Sequence, residues 1–323
     1  MLIHKRDKGA QVASISTADW LDRIHRGGNV AHFWAGGESY WFHCDDPQER
    51  RSLPREMAGR DLYVSINPSV QIPPHSKSGS TDPRYISRQQ DYIQCLNVLI
   101  SEFDGKDYVE TAEAGLTDGT PKAIRAAKEA EFYRNPPWYK SRALVAVRGL
   151  PYAPTLIVDS GGGYHCYWFL SDTLHLDAEN RAAVIDTQHN FVRMNGADPA
   201  SSDISRFLRV IGTRNRKAGW GDNQPVVTVI DYDHTRLYNY GDIEIAVSDW
   251  AYTQAQQWRA DNPHTHTTQA SGTVGAVRAK FNAENSIIDL LAARGYTVCH
   301  TLKNGTTRLA RPGKTEPSIT VFP

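Results

Sequence analysis

Short apolar runs alternate along this chain with amphipathic stretches, and neither kind dominates. Period-two runs rich in β-branched and aromatic residues predict strands at 31–36, 38–44, 61–67, 95–104, 155–160, 164–170 and 225–233. Apolar positions three and four apart predict helices at 17–25, 87–95, 121–134, 138–149 and 177–196. The last of these carries Asp177 as its cap and Gly196 as its stop. Strands and helices interleaved in this way indicate an α/β or α+β domain.

Beyond Asp233 the chain turns polar and reaches "DNPHTHTTQASGT", a linker composition. A helix is then predicted up to Gly295, a hairpin turning at Asn304-Gly305, and a last strand "SITVF" close to the final residue. The expected division is 1–250, a linker over 251–275 and a small module over 276–323. A strand cut off so near the terminus is expected of a fragment of a longer polypeptide.

The 323 residues suffice for one large domain and a small one. Cys44, Cys95, Cys166 and Cys299 stand singly, so the pattern predicts free thiols of a cytosolic protein rather than a disulfide framework or a Cys-rich zinc site. No apolar run approaches the roughly 20 residues of a membrane span, and a soluble intracellular protein is expected. Lys plus Arg and Asp plus Glu are both 36, so net charge does not point to nucleic acid. Locally it does: "SRFLRVIGTRNRK" (205–217) holds five basic residues and no acid.

Three stretches carry candidate chemistry. In "LISEFDG", alternation puts Glu102 and Asp104 on one strand face, about 7 Å apart, where two carboxylates can share divalent cations. Solvent-facing acids at a strand end are the competing reading. In "SGGGYHCYW", Ser160 precedes Gly161, Gly162 and Gly163, a turn without side chains that backbone N–H groups can turn into an anion nest. His165 follows, on the face shared by Tyr167 and Phe169; a flexible hairpin with a partly buried histidine competes. In "ASSDISRFLRVIGTRNRK", Asp203 is either a helix cap or a third carboxylate, and Arg206 and Arg209 share a face if the segment is helical. Thr213, Asn215 and Lys217 follow Gly212, which permits close backbone approach.

The order and wording of these motifs resemble the archaeo-eukaryotic primase superfamily, specifically the bifunctional primase-polymerases of prophages and plasmids. The family pattern is acid-x-acid on a strand, then S-G-x-G-x-H-x-Y-W, then D-x-x-R-x-L-R-x-P-G-T-x-N-x-K. This chain reads "EFD", "SGGGYHCYW" and "DISRFLRVIGTRNRK", over roughly residues 60–235. It departs in having Glu102 for the more usual Asp and Ile211 for proline.

The resemblance implies an α+β fold: an RRM-like antiparallel sheet as catalytic core, an N-terminal α/β unit, a helical insertion over 105–150 and a small C-terminal α/β module. It implies a template-directed nucleotidyltransferase, a DNA primase/polymerase that makes or extends primers in phage, prophage or plasmid replication inside a bacterial or archaeal cytoplasm. Glu102, Asp104 and Asp203 would hold two Mg²⁺ or Mn²⁺ ions, with His165 also in the catalytic set. Ser160, Gly161, Gly162, His165, Arg206, Arg209 and Lys217 would meet the nucleotide. Partners would be single-stranded DNA template, primer and NTP or dNTP, with a helicase domain following in the longer chain and no membrane. "GKT" at 313–315 lacks the spacing and context of a phosphate loop, so no ATPase is expected.

Two other classes remain as alternatives. A non-catalytic single-stranded-DNA-binding replication-initiation protein would use exposed aromatics and cations. A rolling-circle nicking enzyme would need a His-hydrophobe-His pair, and "HTH" at 264–266 places Thr between its histidines.

Overall fold

The computed structural model describes residues 14–52, 57, 59–115, 120–261, 286–303, 305–315 and 317–321. The chain forms two compact units that do not follow chain order. The first runs to His175 and resumes over Asn195–Asn239; the second takes Leu176–Met194 and everything from Tyr240.

The first unit opens with α1 (Thr17–Ile24), where the Ser16 hydroxyl accepts the Asp19 N–H. Trp20, Leu21 and Ile24 lie on one helix face and are fully buried, each contributing roughly 1.5–3 kcal/mol of hydrophobic stabilisation. Two antiparallel sheets follow. One is built from β1 (Val30–Ala35), β2 (Glu38–His43), β3 (Tyr63–Ser65) and β7 (Phe207–Arg209), in the order β2-β1-β3-β7. The other comprises β4 (Cys95–Asp104), β5 (Leu156–Asp159), β6 (Gly163–His175) and β8 (Thr228–Tyr232), in the order β4-β6-β5-β8. Phe33, Val64 and Leu208 from the first sheet share a core with α1 and with Ile100, Val158 and Tyr167 from the second.

The helical insertion is present as α3 (Pro121–Arg134) and α4 (Pro136–Arg148), after the short α2 (Pro47–Arg51) earlier in the chain. Thr120 caps α3 through the Ala123 N–H, and prolines at both helix starts sit where an N–H is not needed. Val109, Phe132 and Tyr139 form a small core of their own beneath these helices.

Two local expectations change. The helix predicted over 87–95 is only a 3₁₀ turn at Gln90–Tyr92, because Ile93 bridges Ser69 and the Gln94 N–H goes to the Pro68 carbonyl, drawing the chain extended into β4. Arg206 and Arg209 lie in extended backbone on and beside β7, where tertiary pairing with β3 overrides the helical pattern.

The second unit contains α5 (Arg181–Met194), α6 (Tyr240–Asp261), α7 (Ile287–Ala292) and the antiparallel sheet β11-β10-β9, from β9 (Thr297–Thr301), β10 (Thr307–Ala310) and β11 (Pro317–Val321). Asp186 of α5 pairs with Arg308 of β10 at 2.9 Å. The early part of the stretch that reads as linker is the end of α6. The rest of it, with His264 and His266, lies outside the described residues, as does Asn304 of the hairpin turn. No helix among the described residues is long and apolar enough to cross a membrane.

Candidate active site

The alternation that fills the core also builds the site. Val98 and Ile100 of β4 point into the core, and the next two positions of that series are Glu102 and Asp104. On β6 the series Phe169, Tyr167 ends at His165, whose register partner is Glu102; Asp104 stands opposite Gly163. Where the apolar rows run out, the same face carries two acids and an imidazole.

These groups line a cleft of about 380 Å³. The Glu102 carboxylate is nearly buried, accepts the Arg206 Nε–H at 2.6 Å and lies 3.8 Å from His165 Nε2. Burial raises the Glu102 pKa, against the opposing effect of Arg206, and the charges of Asp104 and Asp198 raise it further. Burial likewise pushes Asp104 up, but Lys106 beside it outweighs that and holds the carboxyl below its usual range. His165 is held neutral: burial, then Arg209, lowers its pKa to about 3. Its Nδ1 has no hydrogen-bond partner among the described residues.

The acid that joins Asp104 is Asp198. β4 is a sheet edge, and the segment 195–201 docks along it: the Asp198 N–H donates to the Glu102 carbonyl at 2.9 Å, and Ser201 Oγ accepts the Glu102 N–H at 3.3 Å. Asn195 Nδ2 donates to Ser101 Oγ at 3.2 Å. Asp104, Asp107 and Asp198 then offer carboxylate oxygens that all lie within 4.8 Å of one another. A cluster of hard oxygen donors fits Mg²⁺ or Mn²⁺.

Asp203 instead closes a local turn with no helix after it, while Asp198 caps the 3₁₀ turn Pro199–Ser202 by accepting the Ala200 N–H at 2.9 Å. The Asp203 Oδ1 accepts both the N–H and the hydroxyl of Ser205 at 2.7 Å, ahead of β7, and Asp203 does not line the cleft. Asp198 and Asp203 are both turn aspartates in one short segment; the motif singles out Asp203, and only the docking on β4 brings Asp198 to Asp104.

The glycine turn is a packed corner. Gly161 sits at φ +90°, and a Cβ there would meet Pro225 at 2.5 Å. A Cβ on Gly163 would lie 2.2 Å from the Phe103 carbonyl oxygen. Gly162 alone faces open space. The Gly161 N–H is taken by Asp159 Oδ1 at 2.8 Å, and the buried Ser160 donates its hydroxyl to the Gly163 carbonyl at 3.1 Å, so both groups shape the turn. Asn215, fully buried, donates to the Ser160 carbonyl at 2.8 Å and accepts the Lys217 N–H at 3.2 Å, tying the third motif to the second.

The cations divide into two groups. Lys106 is paired with Asp104, Arg206 with Glu102, and Arg209 with Asp61 through two contacts of 3.2 and 2.7 Å. Asp61, which also accepts the Arg216 N–H at 3.0 Å, has no sequence signal of its own. Lys217 is exposed, lines the cleft and has no ion-pair partner among the described residues.

No family model matches the chain, and no curated protein matches it. Some solved structures show a distant likeness to the chain. The AEP domain of the cyanophage S-2L primase-polymerase is 14% identical, with 66% of this chain and 86% of that one covered and a TM-score of 0.37. Primase RepB′ is 13% identical over 86% of this chain and 78% of its own, with a TM-score of 0.38. The catalytic domain of primase RepB′ in complex with initiator DNA is 16% identical over 77% and 98%, with a TM-score of 0.37. The likeness is distant.

Proposed function

We propose that this chain is a template-directed nucleotidyltransferase, a DNA primase/polymerase of the phage or plasmid type, with the β4-β6-β5-β8 sheet as an RRM-like catalytic core. The observation that carries this is the convergence in one cleft of Glu102, the oxygen donors of Asp104 and Asp198, neutral His165 and unpaired Lys217. Divalent cations held by Asp104 and Asp198, with Asp107 and Glu102 adjoining, would supply charge stabilisation to an attacking 3′-hydroxyl and to the phosphate being transferred.

The chain's own residues do the rest. Asp104, held ionised by Lys106, keeps a full negative charge at the end of β4. His165 can donate one hydrogen bond to a phosphate oxygen without bringing a positive charge into a nearly closed site. Lys217 supplies a point charge to the triphosphate, and Gly162 leaves the approach to the turn clear of side chains. Arg206 and Arg209 meet phosphate only by exchanging their present carboxylate partners. NTP or dNTP are the substrates and single-stranded DNA the template.

The test is incorporation of labelled NTPs or dNTPs on single-stranded templates, with and without primer, in Mg²⁺ or Mn²⁺. Asp104→Asn and Asp198→Asn are each expected to lower incorporation at least about 10²-fold with the fold retained. Asp203→Asn is expected to retain activity. Incorporation unaffected by loss of Asp104 and Asp198, alongside intact DNA binding, would establish the non-catalytic initiation protein instead.

A further inference from the structure

The helical insertion does more than cover the sheet. One face of α3 carries Pro121, Ile124, Arg125, Lys128, Glu129 and Phe132, at spacings of three and four. Arg125 and Glu129 line the acid-bearing cleft. Arg125 also lines a second groove of about 490 Å³, with Lys128, Ile124 and Pro121 on the helix and Pro199 across from them. Lys106, Arg125 and Asp198 border both spaces, so the groove and the cleft adjoin at the acids.

The groove's composition is specific. Pro121, Ile124 and Pro199 supply an apolar floor and Lys106, Arg125 and Lys128 supply cations, while Asp107 and Asp198 of the acid cluster also line it. Neither Arg125 nor Lys128 has an ion-pair partner among the described residues, whereas Lys106, Arg206 and Arg209 are all paired. Unpaired cations beside an apolar floor match a polynucleotide, whose sugars and bases offer apolar faces and whose phosphates offer evenly spaced charge.

We infer that α3 is a wall of a nucleic-acid track: the groove between α3 and the 198–199 turn takes the single strand whose 3′ end reaches Asp104 and Asp198, with Arg125 and Lys128 on consecutive phosphates. This rests on the nucleotidyltransferase reading of the acids. It assigns the strand to the Arg125 side of the cleft and leaves the Lys217 side to the triphosphate.

The experiment is fluorescence anisotropy of a labelled mixed-sequence oligodeoxynucleotide bound to the full chain in EDTA, over a salt series. Each phosphate contact on a single strand contributes about 0.7 to the slope of log K against log salt. Arg125→Gln/Lys128→Gln should therefore lower the magnitude of the slope by about 1.4 and weaken low-salt binding roughly tenfold. Gln keeps helix propensity, and Arg125→Ala/Lys128→Ala provides a second variant; circular dichroism checks both. Arg134→Ala, an exposed cation of the same helix outside the groove, should leave the slope near that of the unsubstituted protein. A slope unchanged in the double variants of a protein that does incorporate nucleotides overturns the track and leaves the enzyme reading standing. A protein that neither binds the oligonucleotide nor incorporates nucleotides overturns both.

Discussion

Gly161, Gly162 and Gly163 are alike in composition and unlike in constraint. Gly161 is required by a positive φ and by Pro225, Gly163 by the carbonyl of Phe103, and Gly162 by neither. Gly163→Ala is expected to destabilise the protein by about 1–3 kcal/mol in urea denaturation, through overpacking against β4. Gly162→Ala should leave stability within about 0.5 kcal/mol and instead weaken nucleotide binding, read as a raised KM with kcat retained. Equal stability losses at the two positions would contradict this division. The three glycines are plain in the sequence; which of them faces open space depends on Pro225 and Phe103, distant in the chain.

At the scale of the element, β7 and β3 show how three residues of strand can orient a site. β7 is an edge strand, and Arg206 to Arg209 line the cleft along it. Asp61, just before β3, holds Arg209 by two contacts and accepts the Arg216 N–H as well. Burial pushes Asp61 up, but Arg209, the Arg216 N–H and the Tyr63 hydroxyl together hold it below the usual carboxylate range. Asp61→Asn leaves a nearly buried guanidinium without its countercharge and should cost about 1–3 kcal/mol; unchanged urea stability would count against it. The strands over 95–104 and 155–170 were legible because alternation and apolar content agree there. The helix expected at 87–95 was not realised, since the ladder and bridge bonds that extend Ile93 and Gln94 come from residues some 25 positions earlier.

At the scale of the whole molecule, the first unit carries buried histidines that resist protonation. Burial lowers His25 to about 4 and His165 to about 3, and drives His32 well down. Well above pH 6.5 these rings are neutral in both folded and unfolded chains, so they add no pH dependence there. Below it the unfolded chain takes up protons that the folded chain refuses. Stability should therefore fall as pH drops from 6.5 towards 4, by up to about 1.4 kcal/mol per pH unit for each such ring. Glu102, raised by burial, acts in the opposite sense, but only near the carboxylate range. Urea denaturation at pH 7, 6 and 5 measures the slope, and His25→Gln should reduce it by one ring's share; a flat profile would rule the account out.

Local pattern is enough to mark the strand that ends in Glu102 and Asp104, the glycine corner before His165, the basic segment after Asp203 and the two helices of the insertion. Each of these is a local matter of periodicity, backbone freedom or charge, readable within a dozen residues. Long-range packing sets which acid joins Asp104, which cations lack an ion-pair partner among the described residues and which face of α3 borders the cleft. Those depend on residues far apart in the chain: Asp198 reaches Asp104 because its segment docks on the edge of β4, and Arg209 is held because Asp61 lies across a strand pair. No local pattern encodes an edge that another part of the chain must cover.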